Sequence, residues 1–288
     1  MTSPKKVGIL SKPGKPELST IVPQLLEWLR AHDYEAVIDT ETALYVKGCD
    51  VCERHEIADR KPAFVIVMGG DGTLLAAARA VARARIPILG VNLGSLGFLT
   101  EVVLGELYPT LEAVHENRCG TELRTMLHCQ LLRAEKCVAE YIALNDVVAG
   151  KGTISRIADF DLFLNGRFIS NYKADGVILS TPTGSTAYSL ASGGPILVPN
   201  VDAFVITPVS PHSLTNRPLV VHDSAQCEIR VRSTPEESYL TVDGQVGTPL
   251  AGGDRVICKK AADHVILLRL NDRNFFDVLR GKLKWGER

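Results

Sequence analysis

Apolar and polar positions follow one rhythm to about residue 118 and another beyond it. KKVGIL (5–10), EAVIDT (35–40), AFVIVM (63–68) and PILGVN (87–92) are short apolar runs. AFVIVM and PILGVN are continuous and rich in β-branched residues, the pattern of strands covered on both faces. Between the runs lie stretches with helical spacing. Ile21, Leu25, Leu26 and Leu29 share a face within 17–32, Thr73 to Arg85 is Ala-rich, and Leu104, Leu107, Leu111 and Val114 line up within 104–116. Pro23 predicts a kink in the first helix or a later start. The polar stretch 47–61 reads as loop with room for one short helix. Strands alternating with helices predict a parallel sheet with helices on both faces, a Rossmann-like α/β domain.

From Cys119 to Ala262 helical spacing nearly vanishes. ELRTMLHCQLLRAEKCVAEYIALNDVVAG reads as several strands, and IADFDLFLNGRFIS holds Asn165-Gly166 between two alternating runs, the strongest short-range hairpin signal. CEIRVRS, YLTVDGQ, RVICKK and HVILLRL are further strands. Short strands at regular spacing predict an all-β, sandwich-like second domain. The tail NFFDVLRGKLKW (274–285) returns to helical spacing through Phe275, Val278, Leu279 and Leu283, although Gly281 weakens it. It is expected to pack back on the first domain. The boundaries read as 1–118, 119–265 and 266–288.

Composition narrows the function. A chain of 288 residues suits two domains, and 45 % hydrophobic with 23 % charged residues is enough to build their cores. Lys plus Arg number 32 against 33 Asp plus Glu, so no bulk basic field draws in nucleic acid or anionic membrane. No run approaches the roughly 18 apolar residues of a membrane helix, and MTSPKKVGIL has no signal-peptide pattern. A cytoplasmic protein with its seven cysteines as free thiols is expected. Cys49 and Cys52 form a lone C-x-x-C without the second ligand pair a zinc site needs, which favours a plain loop.

MGGDGTLL (68–75) carries the first candidate chemistry. It sits where a buried strand gives way to a helix, and ligands of parallel sheets bind just outside the carboxyl ends of the strands. Gly69, Gly70 and Gly72 let the backbone approach a phosphate, the helix start offers N–H groups, and Thr73 is a candidate cap. Asp71 is the odd member beside an anion site. General base, metal ligand and hydroxyl acceptor are its functional options, and a helix-capping turn is the plain one. NLGSLGFL (92–99) makes a second such loop beside the first, and neither matches the G-x-G-x-x-G dinucleotide fingerprint. The stretch 172–196 is rich in small hydroxyl residues suited to phosphate and sugar contacts, with Tyr188 available to flank a base, unless it is only a surface loop. Asn145-Asp146 after the apolar run YIAL could read a sugar diol or adenine edge, or be a strand-end turn. Asp243-Gly244-Gln245 reads as a turn.

GGDGT (69–73), NLGSLGFL (92–99), LND (144–146), DGVILSTPTGSTAYSLASGGPI (175–196), SPHSLTNRP (210–218) and DGQ (243–245), in this order and spacing, resemble the NAD kinase family from about residue 7 to the C-terminal helix. GGDGT alone is shared with diacylglycerol and sphingoid-lipid kinases and 6-phosphofructokinase. The 175–196 segment and SPHSLTNRP are much more specific.

The resemblance implies transfer of the γ-phosphoryl of ATP to the 2′-hydroxyl of the adenosine ribose of NAD, giving NADP and ADP. It makes NAD and ATP the partners, with a divalent cation, Mg²⁺, carried on ATP rather than in a protein cage. It assigns Asp71 as proton acceptor and Gly69, Gly70, Gly72 and Thr73 as the phosphate loop, with Gly72 beside Asp71 in the NAD site. Asn145 and Asp146 match the pair that holds the adenosine half, Asp146 being one methylene shorter than the Glu of many relatives. Arg156 and Lys173 match variable basic positions near the nucleotide, and Asp175 matches a ligand-contacting aspartate. Thr186, Ala187, Tyr188, Ser189, Leu190 and Ala191 match a contact segment, with Ala191 in place of the usual Ser. Gln245 falls at a variable position bearing on ligand or donor preference. His212 is read as structural. The resemblance also implies a site in the cleft between the domains and a homodimer or homotetramer. Two rivals remain, a lipid kinase of the same GGDGT superfamily and a non-catalytic NAD-binding sensor. A membrane-facing patch would mark the first, and loss of Asp71 the second.

Overall fold

The computed structural model describes residues 4–94, 97–100, 102–151, 157–233, 238–270 and 274–285. The chain divides into two compact units. One runs to Leu123 and takes back the chain from His264 onward; the other is Arg124–Asp263.

The first unit contains strands β1 (Lys5–Ser11), β2 (Tyr34–Asp39), β3 (Asp50–Cys52), β4 (Phe64–Gly69), β5 (Ile88–Asn92) and β6 (Val102–Val103). They pair in parallel in the order β3-β2-β1-β4-β5, with β6 beside β5. Helices α1 (Leu18–Ala31), α2 (Asp71–Val81) and α3 (Leu107–His115) connect or flank them. Every residue of β4 and β5 is buried, as their unbroken apolar runs require. α1 buries Leu18, Ile21, Val22, Leu25, Leu26 and Leu29 against β1, β2 and β4 in one core. It begins at Leu18 with Pro23 inside, so Pro23 does not delay the helix start. That ring removes only the single N–H that would have bonded back to Ser19, while the apolar face on either side keeps the helix docked. The stretch 47–61 holds more than a loop, namely the edge strand β3 and a 3₁₀ helix over Arg54–Arg60. That helix puts Arg54 on the fully buried Asp39, with Nε at 2.9 Å and Nη2 at 2.6 Å from Oδ2.

Strand order reverses between β1 and β4. The first βαβ crossovers run outward to β2 and β3, and the chain then returns to the other side of β1. In open α/β sheets this switch leaves a crevice at the carboxyl ends of the strands. The glycine–aspartate segment leaves β4 at that point.

The second unit contains the rest of β7 (Gly120–Arg133), then β8 (Lys136–Ala143), β9 (Asp146–Gly150), β10 (Ala158–Leu164), β11 (Arg167–Ala174), β12 (Gly176–Ser180), β13 (Ala203–Val209), β14 (Leu219–His222), β15 (Cys227–Ser233), β16 (Tyr239–Val242), β17 (Val246–Pro249) and most of β18 (Arg255–Arg269). One sheet is antiparallel in the order β14-β13-β12-β9-β16-β17. The other comprises β8, β7, β18, β15, β10 and β11. Alternate residues of both sheets, among them Leu127, Val147, Phe160, Val177, Phe204 and Leu240, meet in one core. Asn165 and Gly166 take positive φ at the β10–β11 hairpin, as that dipeptide predicts. Asp243 and Gly244 do the same at the β16–β17 hairpin.

The C-terminal helix α5 (Phe275–Leu283) belongs to the first unit and buries Val278 and Leu279. Asn274 caps it, accepting from the Asp277 N–H at 3.0 Å. No described helix is long and apolar enough to cross a membrane.

Candidate active site

In the first unit the site grows from the pairing of β4 with β5. Gly69 lies opposite Asn92 in the register, so the loops leaving the two strands start side by side. Helix α2 opens at Asp71, and its N-cap, Gly70, has no side chain to cap with. Thr73 is therefore the third residue inside the helix, and the expectation that it caps is corrected. Nor does Asp71 cap its own helix. Its carboxylate reaches across to the loop after β5. Oδ2 accepts the Phe98 N–H at 2.9 Å, and Oδ1 accepts the Leu99 and Thr100 N–H groups and the Thr100 hydroxyl, each at 3.1 Å. The plain reading of Asp71 as part of a turn thus gives way to a carboxylate that ties two loops together, half-buried at the carboxyl edge of the sheet.

In the second unit a cavity of about 630 Å³ opens beside β9, β12 and β16. Of the residues singled out from sequence, Asn145, Asp146, Asp175, Ala187 and Tyr188 line it. Lys173, Thr186, Ser189, Leu190, Ala191 and Gln245 are not among its lining residues. Lys173 and Gln245 are exposed, and Ser189 is fully buried. Arg156 lies outside the described residues.

The Leu144–Asp146 turn is fixed from both sides. Asp243 accepts three backbone N–H groups from it, Leu144 at 3.2 Å, Asn145 at 2.7 Å and Asp146 at 3.3 Å. On the other side the Thr181 N–H donates to Asn145 O at 2.9 Å, and the Thr181 hydroxyl to Leu144 O at 2.6 Å. Gly184 packs directly on the Asn145 backbone, leaving no space for a side chain. Asp146 is 4 % exposed, and burial, followed by the charge of Asp243, pushes its carboxyl up to about 7. Lys151 pairs with Asp175 at 2.8 Å on the cavity wall.

Asp243 and Lys151 were missed as site residues. The sequence signal for Asp243 was its place in a DG hairpin turn, which the structure bears out. The same turn also buries the carboxylate against residues almost a hundred positions earlier. The hydroxyl-rich stretch forms a 3₁₀ turn over Thr183–Thr186 and the short helix α4 (Tyr188–Ala191). It was expected to offer its hydroxyls to a ligand. Instead Ser180, Thr181, Ser185 and Ser189 are buried, and their hydroxyls are engaged by the protein. Ser185 Oγ donates to Pro182 O at 2.6 Å, Thr186 Oγ1 to Thr183 O at 3.1 Å, and Ser189 Oγ lies 2.8 Å from Thr207 Oγ1.

Other candidates do not join a site. His212 is exposed, and its backbone N–H donates to Lys173 O. Burial raises the Cys49 and Cys52 thiols above their ordinary range, the reverse of what a reactive thiolate needs. All seven cysteines are free.

Residues 7–119 match the model of the ATP-NAD kinase N-terminal domain, and residues 144–270 that of the ATP-NAD kinase C-terminal domain. The chain is 58 % identical over 284 residues to an NAD kinase of Koribacter versatilis, covering 99 % of each chain. It is 54 % identical over 284 residues to an NAD kinase of Acidobacterium capsulatum, covering 99 % of this chain and 100 % of the other. Among solved structures, yeast NADH kinase complexed with NADH superposes with a TM-score of 0.90 at 26 % identity, covering 100 % of this chain and 90 % of that one. An NAD kinase from Archaeoglobus fulgidus in complex with ATP shares the fold, with a TM-score of 0.78 at 22 % identity over 96 % of this chain and 99 % of that one.

Proposed function

The chain belongs to the ATP-NAD kinase family, and from that premise we propose that it transfers the γ-phosphoryl of ATP to the 2′-hydroxyl of the adenosine ribose of NAD. The hydroxyl oxygen forms a bond to the γ-phosphorus, the bond from that phosphorus to the bridging oxygen of ADP breaks, and the hydroxyl proton passes to Asp71. The observation that carries the reading is the Asp71 carboxylate, held at the carboxyl edge of a parallel sheet by four hydrogen bonds from residues 98–100. A sugar hydroxyl is a poor nucleophile at neutral pH, and a positioned base is worth roughly 10²–10⁴ in rate. The rest of phosphoryl transfer is positioning and charge neutralisation. Gly69, Gly70, Gly72 and Thr73 form the phosphate loop in this reading.

The cavity of the second unit suits a nucleoside. Asn145 offers both amide donor and acceptor, Asp146 and Asp175 accept hydroxyl or amino protons, and Tyr188, 47 % exposed, presents a ring to a base. In this reading Lys173 and Arg156 are basic partners for the nucleotide's charge, the remaining residues of 186–191 shape the segment that carries Ala187 and Tyr188, and Gln245 influences ligand preference. Mg²⁺ bound to the phosphates of ATP would supply the neutralisation of their charge. Among the described residues no group of three or more His, Cys, Asp or Glu could hold a metal, and magnesium commonly takes phosphate oxygens and water as ligands. A reducing cytoplasm is supported by the free cysteines. A homodimer or homotetramer is supported by Phe168 and Ile169, apolar and exposed on the edge strand β11.

The test is NADP formation from NAD, ATP and Mg²⁺ by the parent and by Asp71→Asn. Turnover in the parent that collapses in the variant, with NAD binding retained, is the expected result. A folded parent that makes no NADP with any phosphoryl donor or divalent cation overturns the reading and favours a sensor.

A further inference from the structure

Asp71 needs a defined orientation to act as a base, and a chain of buried polar groups supplies it. Asn92, at the end of β5, is 4 % exposed, and Thr100 is fully buried. Asn92 Oδ1 accepts the Gly94 N–H at 2.6 Å, which fixes which end of the amide is oxygen. Its Nδ2 group therefore faces Thr100, lying 2.9 Å from Oγ1. An amide nitrogen donates and cannot accept, so the Thr100 hydroxyl must accept there. Its single proton is left to point at Asp71 Oδ1, 3.1 Å away.

The two oxygens of Asp71 are consequently unequal. Among the described residues, Oδ1 takes three donors, Leu99 N–H, Thr100 N–H and Thr100 Oγ1–H, whereas Oδ2 takes only the Phe98 N–H. A carboxylate oxygen offers about two lone-pair sites, so Oδ1 is saturated and Oδ2 keeps one open.

We propose that Thr100, oriented by Asn92, is a positioning residue for phosphoryl transfer, anchoring Asp71 by Oδ1 so that Oδ2 is the oxygen that takes the acceptor hydroxyl's proton. This rests on the reading of Asp71 as the base. As the proton moves to Oδ2, the acceptor oxygen bonds to phosphorus and the leaving nucleoside diphosphate departs with the electrons of the broken bond. The same logic of a base oriented by a third group recurs in catalytic sites of many folds.

Steady-state kinetics of the full chain test it, with Thr100→Val, Thr100→Ser and Asp71→Asn measured beside the parent. Valine keeps the shape and removes the hydroxyl. Thr100→Val should lower kcat by roughly 10–100-fold, the range for one hydrogen bond to a charged group, with KM for NAD and ATP within about twofold. Thr100→Ser should restore kcat to within about threefold. If Thr100→Val keeps its kcat while Asp71→Asn is inactive, the positioning role is wrong and the base reading stands. If Asp71→Asn turns over like the parent, the base reading falls and this inference with it. A loss in Thr100→Val that serine does not restore, or that appears equally in KM, marks a merely structural residue and also overturns the proposal. Should Thr100→Val not fold, Thr100→Ala carries the same kcat and KM comparison, with no methyl placed where the hydroxyl sat.

Discussion

Gly97 lies against Asp71 so closely that a Cβ there would stand 2.7 Å from Asp71 Cγ and overlap Oδ1. The same Cβ would stand 2.5 Å from Thr100 Oγ1, so the side chains of Asp71 and Thr100 together require glycine here. Gly97→Ala should displace Asp71 and lower kcat by roughly 10²-fold or more, approaching loss of the base itself. A double-mutant cycle checks the cause. An Asp71→Ala background removes the carboxylate contacts and leaves the methyl against Thr100 Oγ1, the tip of one side chain, so Gly97→Ala should cost at least ~1 kcal/mol less stability there than in the parent. Equal costs in the two backgrounds would refute the steric account.

Gly184 has a harder neighbour. A Cβ there would stand 2.6 Å from Asn145 Cα and overlap the Asn145 carbonyl. Backbone cannot swing away as a side-chain tip can. Gly184→Ala is expected to destabilise by about 3 kcal/mol, the upper end for overpacking, and to raise the KM for NAD by moving Asn145. Thermal denaturation and initial rates at varied NAD measure both.

Asp146 makes stability depend on pH. Its carboxyl titrates at about 7 in the folded protein, against about 3.9 when unfolded. Between those values the folded state holds a proton that the unfolded state has released. Stability therefore falls as pH rises from about 4 through 7, by about 4 kcal/mol at most for this group, and the loss is complete above 7. Melting temperatures from pH 5 to 8.5 should show this decline, and Asp146→Asn should flatten it, gaining on the parent at the alkaline end. A parent and variant that run parallel across this range would show that Asp146 is not the group responsible.

Asp243 serves the same turn through its backbone. Asp243→Ala strands the Leu144, Asn145 and Asp146 N–H groups and should cost about 2–4 kcal/mol. It should also raise the KM for NAD more than it lowers kcat. Removing its charge lowers the Asp146 pKa only part of the way, because burial is the larger cause. The pH-dependent decline in melting temperature should persist, with a smaller amplitude, in Asp243→Asn.

The strands of both units were legible because β4 and β5 are apolar on both faces and the second unit alternates. β3 was not. It is three residues long and buries only Cys52, too short for any period. Asp71, Asn145 and Asp146 stood out as polar groups at strand ends. Their partners did not, because periodicity sees neighbours and these contacts span great lengths of chain. Asp71 meets residues 27 to 29 positions on, and Asp243 meets residues 97 to 99 positions back. Thr73 was misread as a cap because the helix begins two residues earlier than its apolar face announces. Hydroxyl composition marked 180–189 as unusual without telling which way the hydroxyls turn.

Those inward-turned hydroxyls bear on how such proteins are recognised. Thr181, Ser185, Thr186 and Ser189 hold a fold in place, and the cavity meets Ala187 and Tyr188 at their surface. A descendant that abandoned the reaction would still need these serines and threonines to keep the turn folded. The segment most diagnostic of ancestry therefore records architecture, and it would outlive the activity it helps to identify.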